Sequence, residues 1–209
     1  SRGLGDVYKR QVIYNGTKII PINSKSLDVK VIKLITVGRL APFKNIDRII
    51  MSLKQIDFED NNIKLFIVGD GPERQNLEIL VKKLKLENHV VFTGQLVEDE
   101  LNKHYKDSDI YIQASGYEGL PHTLLEAISH NLSIISTPIG GTNEILENDT
   151  NGWTIELIKG KYPSEKEIAD KVNYILNNKQ EDEIKKNRAR ELLIENFDKN
   201  INFEKYIDT

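Results

Sequence analysis

The stretch YEGLPHTLLEA, residues 117–127, decides how the rest of the sequence is interpreted. It follows a short apolar strand at 110–114 and places a glycine turn before Pro121, where a helix is predicted to begin. The free N–H groups of a first helical turn, together with the helix dipole, favour an anion such as phosphate. Glu118 and Glu126 flank this position and would repel a phosphate, so we expect them to accept hydrogen bonds from sugar hydroxyls. The stretch therefore predicts a site for a sugar nucleotide.

Two cationic residues follow the first clear strand of the chain. Residues 33–37 form a β-branched run closed by Gly38, which is typical of a buried parallel strand. Arg39 follows directly, and Lys44 precedes a helix predicted over 45–56. A planar guanidinium can bridge two phosphate oxygens while an ammonium neutralises them from another side. On the residues alone, a solvated arginine and lysine in a loop is the simpler interpretation, and a clamp that holds a diphosphate is the alternative.

Strands and helices alternate along most of the chain, which predicts an α/β fold. The pattern is that of a Rossmann-like, doubly wound parallel sheet of about six strands. Two further helices are predicted near the end, and a Ser164 to Glu167 capping box should open the first of them. The predicted strands span 33–37, 63–68, 89–94, 110–114, 132–137 and 151–155, and the predicted helices span 45–56, 73–84, 99–106, 164–176 and 181–196.

Several of the singled-out residues come directly after predicted strands. Arg39, Glu118 and Gly140 do so, and Gly94 is the last residue of a predicted strand. In open α/β sheets, ligands bind beyond the carboxyl ends of the strands. We therefore expect these four residues to meet at one rim of the sheet.

The segment EGLPHTLLEA, with its two glutamates separated by seven residues, resembles the signature of the retaining GT-B glycosyltransferases of family 4. Gly38-Arg39-Leu40 together with Lys44 resembles the diphosphate clamp of the same family. The resemblance covers about residues 12–209 and implies the second, donor-binding half of a GT-B enzyme. It further implies that Glu118 contacts the donor sugar and that Glu126 contacts the ribose.

Other turns resemble the rims of the donor site in that family. They are the GDGP turn at 69–72, the GQLV loop at 94–97 and the GG-x-x-E turn at 140–144. The resemblance implies three catalytic residues, Glu118, Arg39 and Lys44. The implied substrate-binding set is Gly38, Arg39, Lys44, Gly69, Gly94, Leu96, Glu118, Gly119, Leu120, Pro121, Glu126, Gly140 and Gly141.

The two ends of the chain differ in character. Residues 1–11, SRGLGDVYKRQ, lack an apolar period and resemble a translated sequencing-adapter remnant, so we expect a non-native leader. Residues 12–16 resemble the strand and Asn-Gly turn that open the second GT-B domain. We therefore expect residues 12–209 to be a donor domain whose N-terminal acceptor domain is absent. On its own, such a fragment is predicted to bind donor without transferring it.

Composition restricts the class of protein. The 209 residues carry a net charge of −3 with no dominant basic block, which gives no sign of nucleic-acid binding. No apolar run approaches the roughly 20 residues that span a bilayer. The chain has no cysteine, which excludes disulfides and thiolate chemistry. We expect a cytoplasmic protein, with peripheral membrane contact only through the missing domain.

One acidic triplet could suggest a metal site. Asp107-Ser108-Asp109 has the D-x-D spacing that binds a divalent cation in another class of glycosyltransferase. The triplet closes a predicted helix and opens a predicted strand, where aspartate and serine are ordinary turn formers. We therefore expect no metal and no cofactor.

The resemblance implies transfer of a sugar from a UDP-, GDP- or ADP-sugar to a saccharide or lipid-linked acceptor, with retention, in polysaccharide or cell-envelope glycan synthesis. A nucleotide-sugar epimerase or hydrolase of the same architecture is an alternative. A non-catalytic module that binds sugar nucleotides is another. A dinucleotide-binding domain fits poorly, because the turn at 69–72 lacks the third glycine of that fingerprint.

Overall fold

The computed structural model of the chain describes residues 17–21, 31–56, 62–147 and 149–198. The leader predicted at 1–11 and the strand and turn predicted at 12–16 lie outside these residues.

The described residues contain a six-stranded sheet in which every neighbouring pair of strands is parallel. The strand order is β3-β2-β1-β4-β5-β6, the order of a doubly wound Rossmann-like sheet. The predicted fold class is therefore confirmed. The strands are β1 Val31–Val37, β2 Asn62–Val68, β3 Val90–Gly94, β4 Ile110–Gln113, β5 Ser133–Ser136 and β6 Trp153–Thr154.

Helices cover both faces of this sheet. The α-helices are α1 Ile46–Ser52, α2 Arg74–Leu84, α3 Glu98–Asp107, α4 His122–Ser129, α5 Glu165–Asn177 and α6 Lys179–Phe197. Helices α1, α2 and α5 pack on one apolar cluster, and α3, α4 and α6 pack on another. Neighbouring residues of β1 divide between them, with Leu34 in the first cluster and Ile35 in the second. This alternation explains why both faces must be covered.

Two local predictions near helix ends need correction. The helix predicted over 45–56 stops at Ser52, whose buried hydroxyl donates to the Ile49 carbonyl at 2.7 Å, and a 3-10 turn, Leu53–Gln55, follows. A serine that bonds back along its own helix competes with regular α geometry. The predicted capping box is wrong, because Ser164 makes no side-chain cap and Glu167 Oε1 instead accepts the Glu156 N–H at 3.0 Å.

A short antiparallel hairpin was not predicted. It pairs β7 Leu157–Ile158 with β8 Tyr162–Pro163. The side chain of Asn45 reaches it, since Nδ2 donates to the carbonyls of Lys161 at 3.0 Å and Ala114 at 2.8 Å. One buried amide therefore joins the start of α1, the end of β4 and the hairpin.

A buried carboxylate fixes α6 to the far edge of the sheet. Asp182 accepts the indole N–H of Trp153 at 3.0 Å and the Ser133 hydroxyl at 2.5 Å. The ammonium of Lys185 lies 4.3 Å from the centre of the indole ring. Because both oxygens of Asp182 are engaged, its burial is compensated.

Candidate functional site

The candidate site lies where the strand order reverses. β1 sits between β2 and β4. The chain runs from β1 through β2 to β3 on one side and then crosses back to β4 on the other side of β1. Such a switch point opens a crevice at the carboxyl ends of the strands. The loop after β1 supplies Arg39 and Lys44, and the loop after β4 supplies Glu118. The topology therefore brings these loops together although their residues lie far apart in sequence.

Lys44 and Glu118 form a direct ion pair in this crevice. Lys44 Nζ lies 2.5 Å from Glu118 Oε1, and the Ser115 hydroxyl donates to the same oxygen at 2.6 Å. The Glu118 side chain is only 10% exposed. Ser115 is in turn held by its own carbonyl, which accepts the Thr137 hydroxyl at 2.6 Å. These contacts fix the orientation of the Glu118 carboxylate.

A small cavity contains this ion pair and the predicted clamp. Gly38, Arg39, Lys44, Ser115 and Glu118 all contribute to its lining. Arg39 is exposed, and in the described ranges its guanidinium has no hydrogen-bond or ion-pair partner. One cation is thus available to an anion while the other is partly neutralised.

A larger open cleft adjoins the cavity and shares Gly38 and Arg39 with it. The cleft measures about 590 Å³, within the range of small-molecule sites. It lies over the ends of β1, β2 and β3, and its lining is Gly38, Arg39, Gly69, Asp70, Gly71 and Gln95. Of the substrate-binding residues predicted from sequence, it therefore gathers Gly38, Arg39 and Gly69.

Two glycines allow backbone segments at the rim to touch. A Cβ on Gly69 would lie 2.0 Å from the Gly38 carbonyl oxygen, and one on Gly140 would lie 1.9 Å from the Glu118 carbonyl oxygen. Both residues have positive φ, 124° and 50° respectively. Gly69 joins the strand ends, because its N–H donates to the Gly94 carbonyl at 2.8 Å. These glycines are thus required by the packing of the loops.

The start of α4 also follows the sequence prediction closely. Pro121 is the residue immediately before the helix, which begins at His122. The turn that precedes it is held by the Gly141 N–H, which donates to the Gly119 carbonyl at 3.0 Å. A Cβ on Gly141 would lie 2.8 Å from Leu120 Cα. Gly119, Leu120, Pro121 and the predicted 140–141 turn therefore form one packed rim.

Glu126 occupies a different environment from Glu118. It is half-buried between α3 and α4, where its Oε2 accepts the phenolic hydroxyl of Tyr105 at 3.1 Å. It is not among the residues that line either cavity. Burial raises the pKa of the Glu126 carboxyl above its usual range, and the hydrogen bond from Tyr105 and the nearby His122 offset part of that rise.

The pKa of Glu126 leads to a stability prediction for Glu126→Gln. Because this pKa is raised in the folded state, the folded chain binds more protons here than the unfolded chain, so stability falls as pH rises above the unfolded pKa. We expect Glu126→Gln to be more stable than the wild type at pH 8, with the difference closing toward about pH 4. Urea unfolding followed by circular dichroism measures this difference.

The control for that measurement is Glu144→Gln, which changes an exposed carboxylate in the 140–144 turn. Its effect on stability at pH 8 should be small, because the side chain is exposed. A Glu126→Gln advantage that grows as the pH falls would contradict the assigned direction of the pKa.

A buried polar chain continues from Glu126 toward the opposite rim. Tyr105 also donates toward the Thr123 carbonyl at 3.2 Å, and the Thr123 hydroxyl lies 2.9 Å from the Tyr111 hydroxyl. Tyr111 donates to Gln113 Oε1 at 3.2 Å, and Gln113 Nε2 donates to Thr142 Oγ1 at 3.1 Å. Burial raises the pKa of both phenols, so both hydroxyls keep their protons and can donate.

These network residues and Ser115 were missing from the predicted site. A usable signal was present, because Gln113 is a polar residue at the end of the otherwise apolar strand β4. Leu96, which was predicted to bind substrate, packs its side chain against the apolar cluster beneath α3 and α4. Only its backbone could then serve the site.

The acidic triplet at the start of β4 supports the backbone of the sheet. Asp109 Oδ2 accepts the Lys33 N–H at 2.9 Å, and the Ser108 hydroxyl donates to the His104 carbonyl at 2.7 Å. In the part of the chain that the structure describes, no group of three or more metal-ligating side chains occurs. Nor does that part contain a helix that is long and apolar enough to cross a membrane.

Comparisons with known proteins identify the family and the fold of the chain. The family model described as "Glycosyl transferases group 1" matches residues 20–192. A relative from Streptococcus agalactiae, the GtfA subunit of a UDP-N-acetylglucosamine–peptide N-acetylglucosaminyltransferase, is 34% identical over 127 residues, which are 60% of this chain and 24% of that protein. The chain spans about a quarter to a third of the curated relatives it matches.

Solved structures share the fold. Anabaena Alr3699/HepE in complex with UDP superposes with a TM-score of 0.74 at 21% identity, covering 86% of this chain and 48% of that one. The C-terminal domain of a glycosyl transferase group 1 family protein from Francisella tularensis gives a TM-score of 0.67 at 23% identity, covering 80% of this chain and 86% of that one. The described architecture therefore matches a domain that was solved separately.

Proposed function

We propose, from the premise that this chain belongs to the glycosyl transferases group 1 family, that it binds the nucleoside diphosphate sugar donor of a retaining glycosyltransferase. The sugar is transferred to a hydroxyl of a saccharide or lipid-linked acceptor in cell-envelope glycan synthesis. UDP is the first nucleotide to test, since a UDP-dependent relative and a UDP-bound structure are both similar to this chain.

One observation carries the proposal. Arg39, Lys44 and Glu118 line a single cavity at the switch point of the sheet. Two cations beside one oriented carboxylate suit a diphosphate that is joined to a sugar rich in hydroxyl groups. The adjoining cleft over β1, β2 and β3 offers room for the nucleotide base.

The proposed chemistry depends on stabilising the leaving group. The bond from the anomeric carbon to the diphosphate oxygen breaks while the acceptor hydroxyl oxygen bonds to the same carbon on the same face. The acceptor proton passes to the departing phosphate. Arg39 and Lys44 neutralise the charge that grows on the diphosphate, without a divalent metal, and the N–H groups at the start of α4 assist.

Glu118 is proposed to orient the donor sugar rather than to attack it. Its Oε1 already accepts two donors, Lys44 and Ser115, so its position is fixed before any ligand arrives. The remaining acceptor capacity of the carboxylate suits sugar hydroxyls. Glu126 is proposed to accept hydrogen bonds from the ribose.

Ligand-observed NMR tests the proposed function. UDP-glucose, GDP-glucose, ADP-glucose and NAD are each mixed with the purified chain, and saturation transfer to the ligand is recorded. We expect transfer to at least one nucleotide sugar, with ribose and sugar protons both in contact. Transfer to NAD with none to the three nucleotide sugars would overturn the proposal.

The ion pair makes Glu118→Gln informative, because the substitution should change the affinities for UDP and for UDP-glucose by different amounts. Removal of a negative charge 2.5 Å from Lys44 Nζ frees that cation for the diphosphate. We expect UDP to bind about fivefold more tightly, which corresponds to about 1 kcal/mol for a partly exposed charge interaction. UDP-glucose should lose its advantage over UDP, because the sugar contact is weakened. Isothermal titration calorimetry measures both affinities.

A matched control comes from another ion pair of the same length. Arg74 Nε lies 2.5 Å from Glu78 Oε1 on α2, and neither residue lines the two cavities. Glu78→Gln should leave both affinities unchanged. If Glu118→Gln weakened UDP and UDP-glucose equally, the proposed orienting role would fail.

A further inference from the structure

Tyr105 reaches from α3 to the underside of α4, where its hydroxyl lies between two acceptors. The Glu126 carboxylate oxygen Oε2 is 3.1 Å away and the Thr123 carbonyl oxygen is 3.2 Å away. The phenol ring is fully buried and stacks on His130, with ring centres 5.2 Å apart. It also lies 6.4 Å from the ring of Tyr111. Packing on both sides thus fixes the position of the hydroxyl.

We propose that Tyr105 is a positioning residue that holds the Glu126 carboxylate ready to accept hydrogen bonds from the ribose 2′ and 3′ hydroxyls. The site would then select ribonucleoside diphosphates over their deoxy counterparts. This inference rests on the proposed function, in which Glu126 faces the ribose.

The glutamate side chain at position 126 is free to rotate unless a neighbour holds it. Glu126 has three rotatable side-chain bonds and is only half-buried, so an unheld carboxylate could turn toward water. The hydrogen bond from Tyr105 engages Oε2 and leaves Oε1 available to a ligand. A preorganised acceptor of this kind avoids the ordering cost at the moment of binding.

The charge state of the carboxylate favours the same role. Burial disfavours the ionised form of Glu126, whereas the hydrogen bond from Tyr105 stabilises it. An ionised carboxylate accepts stronger hydrogen bonds from hydroxyl groups than a protonated one does. Tyr105 therefore supports the form of Glu126 that ribose recognition needs.

The second buried phenol of the network, Tyr111, distinguishes a positioning role from a purely structural one. Tyr111 is equally buried and is also hydrogen-bonded near Thr123, but its hydroxyl contacts Thr123 Oγ1 and Gln113. Within the described part of the chain, the Tyr111 hydroxyl makes no hydrogen bond to Glu126. A purely structural role for the buried phenols would make Tyr105 and Tyr111 equivalent, whereas a positioning role separates them.

The test measures the preference for UDP over 2′-deoxy-UDP by isothermal titration calorimetry, with GDP and 2′-deoxy-GDP in parallel. The proteins are the wild type, Tyr105→Phe and Tyr111→Phe. We expect the wild type to prefer the ribonucleotide by about tenfold, the value of one good hydrogen bond to a charged group. Tyr105→Phe should reduce that preference about fivefold, because it weakens the ribonucleotide more than the deoxy form. Tyr111→Phe should keep it.

The outcomes separate this inference from the proposed function. If the wild type bound UDP and 2′-deoxy-UDP equally, Glu126 would not recognise the ribose, and the inference about Tyr105 would be wrong as well. A wild type that discriminates while Tyr105→Phe discriminates equally well would overturn the inference alone. Partial unfolding of Tyr105→Phe does not obscure the result, because loss of folded protein lowers both affinities by the same factor.

A double-mutant cycle adds a second readout. Where Glu126 is already replaced by alanine, which has no acceptor for the phenol or the ribose, Tyr105→Phe should cause little further change in the preference for UDP. An undiminished effect of Tyr105→Phe in that background would show that the phenol acts by another route and would overturn the inference.

Discussion

Replacing Arg39 by alanine is expected to weaken the binding of UDP by about 10- to 100-fold. The guanidinium lies where the cavity and the larger cleft meet, and it is exposed. Hydrogen bonds to a charged group contribute about 1.5 to 3 kcal/mol each, and a planar guanidinium can make two at once. Lys44 cannot replace it, because Lys44 is already paired with Glu118. Calorimetric titration at fixed ionic strength measures the loss.

A matched arginine provides the control for this result. Arg48 on α1 is paired with Glu165 at 3.1 Å and lies over the Tyr162 ring, and it lines neither cavity. Arg48→Ala should leave UDP affinity within about twofold of the wild type. Arg39→Lys should fall between the two alanine variants, since it keeps the charge and loses the fork geometry. If Arg39→Ala bound UDP as tightly as the wild type, the proposal that Arg39 clamps the diphosphate would be wrong.

The second large effect is on stability and concerns Gly69→Ala. A Cβ at this position would lie 2.0 Å from the Gly38 carbonyl oxygen, which is backbone and cannot move aside cheaply. The φ of +124° adds strain for any L side chain. We expect a loss of about 3 to 5 kcal/mol, the sum of overpacking and backbone strain. For a chain of this size the melting temperature should fall by about 10 °C or more.

Gly119→Ala is the control for Gly69→Ala. A Cβ at Gly119 meets nothing within 4 Å, so its melting temperature should stay within about 2 °C of the wild type. Both temperatures come from circular dichroism without ligand. A Gly69→Ala variant as stable as Gly119→Ala would mean that the β1 and β2 loops separate without cost.

The strands of the sheet were predictable because the signal for each one lies within its own segment of the sequence. Each buried parallel strand is a short apolar run, and the run at 33–37 matches the buried centre of β1. The meeting of Arg39 with Glu118 was also predictable, because residues after the strands on either side of a switch point share one crevice. The direct pairing of Lys44 with Glu118 was not predicted, since it depends on side-chain placement.

Features that depend on a few long-range contacts escaped prediction. The capping box at Ser164 failed because Glu167 bonds to the Glu156 N–H, a partner eleven residues away. The 157–163 hairpin has two-residue strands, too short to show a period, and it is reached from far along the chain by Asn45. The role of Tyr105 depends on which atoms face its hydroxyl. Aromatic spacing alone does not reveal such contacts.

The chain contains one tryptophan, which is buried against Asp182 and Lys185. Its fluorescence therefore reports on the contact between α6 and the edge of the sheet. Trp153 belongs to the outermost strand, so its emission should respond when α6 detaches and remain insensitive to nucleotide over β1 to β3. A thermal melt followed by fluorescence would then report local unfolding at the β6 edge. A melt of the same sample followed by circular dichroism would report unfolding of the whole sheet. Ligand titrations call for an added fluorophore or a calorimeter.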